Sequence, residues 1–161
     1  MRNLVAACLV LMAASCGAPG GEPSPDQAGV AAAIAVSGGW ASPTPQGVAV
    51  SAGYLTITNA TQTQDRLVGV RSPRAGRAEI HEMAMQEGVM RMRPAEGLAI
   101  AAGETIALAP GSLHVMFYDL PAPFVVGETI PLTLSFANAG DVETTLPVRM
   151  RENAGADDSA R

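Results

Sequence analysis

Cysteine is scarce in this chain and absent from most of it. The 161 residues include two cysteines, Cys8 and Cys16, both near the N-terminus. If the N-terminal segment is removed or lipidated, the domain that follows has no free thiol at all. That excludes a disulfide framework, a zinc–cysteine site and a cysteine nucleophile.

Lysine is also missing, and aromatic residues make up only 4% of the chain. All 10 basic residues are arginines, they are scattered, and the formal net charge is -5. Nucleic-acid binding requires clustered cations, so we expect no nucleic-acid partner. We expect a monomer.

No segment of ten or more residues shows helical periodicity with caps. Short β-branched or alternating apolar segments, separated by Gly and Pro, indicate strands instead. The predicted strands are Val30–Val36, Val48–Thr58, Arg66–Val70, Ala78–Met85, Val89–Arg93, Thr105–Leu108, Leu113–Leu120, Thr129–Phe136 and Val142–Val148. This spacing predicts an all-β fold, an antiparallel sandwich or barrel of Greek-key type.

The N-terminus reads as an export signal. Arg2 precedes a short apolar stretch, and Ala13-Ala14-Ser15-Cys16 is similar to a bacterial lipobox in which Cys16 is lipidated. An ordinary secretory signal with a coincidental cysteine is the alternative. We therefore predict a signal peptide at 1–15, the lipidated cysteine and a flexible tether at 16–29, a folded domain at 30–150 and a disordered tail at 151–161. The predicted location is the periplasm, with a membrane anchor.

Two His-x-Met pairs account for both histidines of the chain, His81 with Met83 and His114 with Met116. Residues i and i+2 of a strand point to the same face, so each pair presents an imidazole beside a thioether. Methionine as plastic core filler is the alternative reading of one such pair. Two pairs favour a metal site.

The segment from Met83 to Met92 predicts a hairpin with a two-residue turn at Glu87-Gly88. That register places Met83 opposite Met92, and Met85 opposite Met90, on one sulfur-lined face. The other face then pairs Glu82 with Arg93.

Thioethers are soft, neutral ligands that suit Cu(I) and are poor for zinc, calcium or magnesium. A blue-copper electron-transfer centre requires a cysteine thiolate, which the domain lacks. The residues thus indicate one bound Cu(I) without a redox role for it.

The spacing His81, ten residues, Met92, twenty-one residues, His114-x-Met116 resembles the motif of the periplasmic copper chaperones called PCuAC. Other segments of the chain are also similar to that family, such as Tyr54–Asn59 and Val89–Pro94. The resemblance covers roughly Val30 to Val148. It implies a cupredoxin-like sandwich with His81, Met92, His114 and Met116 as Cu(I) ligands and Met83 as an optional one. Met85 and Met90 are expected to form a hydrophobic lip or docking contact.

The resemblance also implies delivery of copper to respiratory cytochrome oxidase, at its Cu(A) centre or a related copper centre. Another copper chaperone could equally be the acceptor. A copper-sequestering tolerance protein is the alternative function, and a structural β-domain is a further one. An enzyme is not expected, because both histidines are flanked by methionine at same-face spacing. Ser112 is near His114 in sequence, but no third member of a catalytic triad is evident.

Some members of the PCuAC family carry a His- and Met-rich C-terminal tail that holds a second copper ion, Cu(II). Glu152–Arg161 contains neither residue type, so we expect no second site here.

Overall fold

The structure is a computed structural model that describes residues 34–86 and 88–151. In these residues no helix is long and apolar enough to cross a membrane. The predicted signal peptide, Cys16, the tether and all of the predicted tail except Arg151 lie outside the described residues. Those assignments therefore remain predictions.

The described residues form ten strands in two antiparallel sheets, which confirms the predicted all-β fold. The strands are β1 (Ile34–Ala41), β2 (Val50–Asn59), β3 (Asp65–Arg71), β4 (Arg77–Gln86), β5 (Val89–Pro94), β6 (Leu98–Ile100), β7 (Thr105–Leu108), β8 (His114–Tyr118), β9 (Thr129–Phe136) and β10 (Gly140–Pro147).

One sheet has the order β1-β2-β8-β4-β5, and the other β10-β9-β3-β6. Strand β2 is long enough to serve two neighbours: Val50–Gly53 pair with β8, whereas Leu55–Thr58 pair with β7. The central position of β8 between β2 and β4 matters for function, because it brings chain segments that are far apart in sequence side by side.

The core lies between the two sheets. It consists of the side chains that point inward, which alternate along the strands with side chains that point outward. Val115 and Phe117 of β8 are completely buried, and Phe117 packs edge-on against Phe124 at 5.4 Å between ring centroids. Burial of such a side chain contributes about 1.5–3 kcal/mol to stability. Because side chains alternate along a strand, the burial of Val115 and Phe117 places His114, Met116 and Tyr118 on the opposite face of β8.

The predicted hairpin has the predicted register. Met83 pairs with Met92, Met85 with Met90, and Glu82 with Arg93. The last two side chains form an ion pair at 3.0 Å. Gly88 has a φ of 79°, the left-handed conformation that a tight two-residue turn requires of its second residue.

Two strands differ from the sequence-based expectation. β1 extends past Gly38 to Ala41, with a shift of register between Ser37 and Trp40, whereas the predicted strand stopped at Val36. β6 was not predicted, because three residues are too few to show an alternating pattern. In the structure, Leu98–Ile100 pair with β3 and form the edge of the second sheet.

Candidate metal centre

The two histidines lie side by side on the face of the first sheet that points away from the core. His81 of β4 and His114 of β8 are direct cross-strand partners, and their ring centroids are 6.1 Å apart. Both side chains are buried, with only 6% and 5% of their surface exposed. The strand pairing therefore brings together the two His-x-Met segments.

His114 is held by one ring nitrogen and faces a thioether with the other. Its Nδ1 lies 3.0 Å from the carbonyl oxygen of Ser112, and its Nε2 lies 3.2 Å from Sδ of Met92. A carbonyl oxygen can only accept, so Nδ1 carries the proton and Nε2 presents its lone pair. Two lone-pair donors, nitrogen and sulfur, thus face each other.

His81 is held in a different way. Its Nε2 lies 3.0 Å from Oε2 of Glu79 and 3.3 Å from the hydroxyl oxygen of Tyr118. Its Nδ1 is buried and has no hydrogen-bond partner. An unpartnered buried nitrogen costs free energy unless something binds it, so Nδ1 is an available ligand atom.

Glu79 connects the site to a cation. Nη1 of Arg77 donates to Oε1 of Glu79 at 2.6 Å. The hydrogen bonds from His81 and then Arg77 lower the pKa of Glu79 below its usual range. Arg77 also lies over the ring of Tyr118 at 4.1 Å from the centroid. The negative charge beside His81 is consequently balanced by Arg77.

The methionines line the same side of the sheet at different depths. Met92 contacts His114 yet is 50% exposed, and Met83 is its partly buried cross-strand partner. Met116 is partly buried on β8, two residues from His114 and opposite Glu79. Met85 and Met90, at the hairpin end, are 64% and 48% exposed.

Aromatic rings border the site on the side of β1 and β2. Tyr54 lies 6.5 Å from His114 and 4.4 Å from the buried Trp40, measured between ring centroids. Trp40 packs against Tyr54 near the end of β1. In residues 34–86 and 88–151, no group of three or more His, Cys, Asp or Glu side chains could by itself hold a metal ion. The donors gathered here are imidazoles and thioethers.

The sequence patterns did not predict Glu79, Arg77 or Tyr54 at this site. Glu79 precedes His81 by two residues, so the same alternation that linked His81 to Met83 could have found it. Tyr54 comes from β2, and its position depends on the pairing of β2 with β8, which no local pattern reveals.

Solved structures with this fold include PCuAC domains. The apo PCuAC domain from PmoF1 is 26% identical, with a TM-score of 0.62, covering 73% of this chain and 93% of that domain. The solution structure of CuI-DR1885 from Deinococcus radiodurans is 27% identical, with a TM-score of 0.55, covering 80% and 87%. The predicted resemblance to PCuAC domains and the cupredoxin-like fold are thereby confirmed.

A sequence relative of comparable length is "Putative lipoprotein Lxx21020" from Leifsonia xyli subsp. xyli. It is 30% identical over 143 residues, which cover 88% of this chain and 80% of the relative. A family model described as "Putative lipoprotein LpqE-like" matches residues 34–148, that is, β1 through the end of β10. The chain belongs to this LpqE-like family.

Proposed function

We propose that this chain is an exported, lipid-anchored protein that binds one Cu(I) ion and hands it to an acceptor protein. The proposed ligands are His81, Met92, His114 and Met116, with Met83 as an optional ligand. The contact of 3.2 Å between Nε2 of His114 and Sδ of Met92 carries the proposal. With the proton of His114 on Nδ1, where it is donated to the carbonyl oxygen of Ser112, neither Nε2 nor Sδ has a proton to donate to the other. The pair is therefore arranged as two ligands rather than as a hydrogen bond.

The chemistry of the donor set fits Cu(I). Imidazole and thioether are neutral, and thioether sulfur is a soft ligand that favours Cu(I) over the hard divalent cations. The buried, unpartnered Nδ1 of His81 supplies a second nitrogen. The relative CuI-DR1885, whose fold this chain shares, is named as a Cu(I)-bound protein, which supports the same cargo here.

The depth of the donors supports transfer. The imidazoles are buried, whereas the Met92 side chain is half exposed. An acceptor can therefore displace the thioether first and the imidazoles afterwards, so that no step leaves the ion without ligands. A storage site would enclose the ion on all sides. This difference favours a carrier over the alternative of a copper-sequestering tolerance protein, and over an enzyme.

The acceptor that we propose is a copper centre of respiratory cytochrome oxidase, the Cu(A) centre or a related one, or a copper chaperone that precedes it. The proposal rests on the resemblance of the His81 to Met116 motif to that of PCuAC chaperones. The proposed location is the periplasm, with a lipid on Cys16. Its support is the lipobox-like sequence and the lipoprotein name of the family.

Metal transfer under competition tests delivery. Cu(I)-loaded protein is mixed anaerobically with an apo Cu(A) domain while a chelator removes free Cu(I), and the metallated acceptor is quantified. We expect transfer from the parent protein at a rate above that from the Cu(I)–chelator complex alone. Equal rates from both sources would refute delivery and leave sequestration.

A further inference from the structure

The two histidines of the site are held by opposite ring nitrogens. Nδ1 of His114 donates to the carbonyl oxygen of Ser112, which leaves Nε2 as the unprotonated atom. In His81 the contacts fall on the other nitrogen, because Nε2 meets Oε2 of Glu79 at 3.0 Å and Nδ1 meets nothing. A neutral imidazole has one protonated and one unprotonated nitrogen, so each contact determines which atom is free to bind.

Glu79 is well placed to fix the proton of His81. Its side chain is 30% exposed, and its second oxygen accepts from Arg77 at 2.6 Å. The guanidinium thus holds the carboxylate in position, and both carboxylate oxygens act as acceptors. Such an acceptor requires a proton on Nε2 of His81. Tyr118 approaches the same nitrogen at 3.3 Å and leaves Nδ1 untouched.

We infer that Glu79 is a positioning residue: it keeps the proton of His81 on Nε2, so that His81 binds Cu(I) through Nδ1 while His114 binds it through Nε2. The ligand role of these atoms rests on the proposed function. A carboxylate behind a ligating imidazole orients the ring and raises its basicity, and loss of such a partner typically weakens metal binding about 10–100-fold.

The first test needs neither copper nor a variant. Long-range ¹H–¹⁵N correlation spectra of the apo domain distinguish protonated from unprotonated ring nitrogens. We expect a proton on Nε2 in His81 and on Nδ1 in His114. A proton on Nδ1 of His81 would overturn the inference.

The second test compares Glu79→Gln with Glu82→Gln. Glu82 is a neighbour on β4 that pairs with Arg93 on the opposite face, so its variant is the matched control. We expect Glu79→Gln to shift the proton of His81 toward Nδ1 and to weaken Cu(I) binding about 10-fold or more. Glu82→Gln should change neither. Equal affinities in the two variants would overturn the positioning role.

Spectra of the Cu(I)-loaded parent test the ligand atoms directly, because Cu(I) is diamagnetic. We expect the protons on Nε2 of His81 and Nδ1 of His114 to persist while the other two nitrogens shift. A shift at Nε2 of His81 with loss of its proton would refute binding through Nδ1. If the parent binds no Cu(I), the proposed function and the ligand role of Nδ1 fail together, whereas the tautomer measured in the apo protein is unaffected.

Discussion

Nε2 of His114 lies 3.2 Å from Sδ of Met92, although 22 positions separate the two residues in the chain. No direct strand pairing joins them. Met92 belongs to β5, which pairs with β4, and β4 pairs in turn with β8 and His114. The contact therefore depends on two registers, and a slip of one residue in either would turn one donor to the other face.

Leucine in place of the two outer methionines should leave Cu(I) affinity unchanged. Met85 and Met90 pair with each other at the hairpin end and are largely exposed, on the far side of Met83 and Met92 from the histidines. Leucine keeps their apolar volume and removes only sulfur. We expect the affinity of Met85→Leu/Met90→Leu for Cu(I) to lie within about twofold of the parent's in a chelator competition. A tenfold difference in affinity would correspond to roughly 1.4 kcal/mol of binding free energy. A tenfold loss would make these residues ligands.

Asp65→Asn should destabilise the fold without touching the site. The buried carboxylate of Asp65 accepts backbone N–H groups from Arg66, Asn138 and Ala139 at 2.7, 2.9 and 2.9 Å. Asparagine turns an amide N–H toward at least one of these donors. We expect a loss of about 2 kcal/mol in the free energy of unfolding, measured by urea denaturation at neutral pH.

The same variant should remove part of the acid sensitivity of the fold. Burial raises the pKa of Asp65, but the three backbone donors outweigh burial and lower it below the usual value. A lowered folded-state pKa contributes stability that is complete above the unfolded-state pKa of about 3.9 and is lost as the pH falls through the folded value. The difference in the free energy of unfolding between parent and variant should therefore decrease as the pH is lowered from about 7 to about 2. A gap independent of pH would contradict this assignment.

Gly53→Ala should lower thermal stability because the core has no room for the added methyl group. A Cβ at Gly53 would lie 2.8 Å from Phe117 and 2.9 Å from Leu146. Forced repacking of this kind costs about 1–3 kcal/mol. Gly69→Ala is the matched control, since its nearest contact would be Ser135 at 4.0 Å. Equal melting temperatures for both variants would show that the core adjusts freely at Gly53.

Cys16→Ser should abolish lipid attachment if the N-terminus is a lipobox. We expect metabolic labelling with a radioactive fatty acid to mark the parent protein and not the variant, and the variant to leave the membrane fraction. Cys8→Ser serves as the control, because Cys8 lies within the predicted signal peptide and should have no effect on labelling. Absence of label in the parent would favour the ordinary secretory signal.

The hairpin was predictable because its information is local. Alternation in Met83–Met92 and a Gly-containing turn specify both faces and the register, and the structure reproduces every predicted pair. The longer strands were predictable for the same reason. β6 was not predicted, because three residues are too few to show an alternating pattern.

The surroundings of the histidines were only partly predictable. Two His-x-Met pairs indicate a common site, but their burial and the contact of Glu79 with His81 arise from the pairing of β4 with β8. Three other strands, β5 to β7, lie between these two along the chain. A register between distant strands is set by the whole core, so a single sequence does not reveal it.

Cu(I) binding by His114 and Met92 is tested by an anaerobic Cu(I) titration of the folded domain against a chromogenic chelator, with Met92→Leu and His114→Gln alongside. We expect the parent to bind one equivalent tightly, and each variant to bind with an affinity reduced by about tenfold or more, as when a metal loses a ligand or its support. Failure of the parent to compete with the chelator, or variants that bind as well as the parent, would contradict Cu(I) binding by these residues and return their side chains to a structural role.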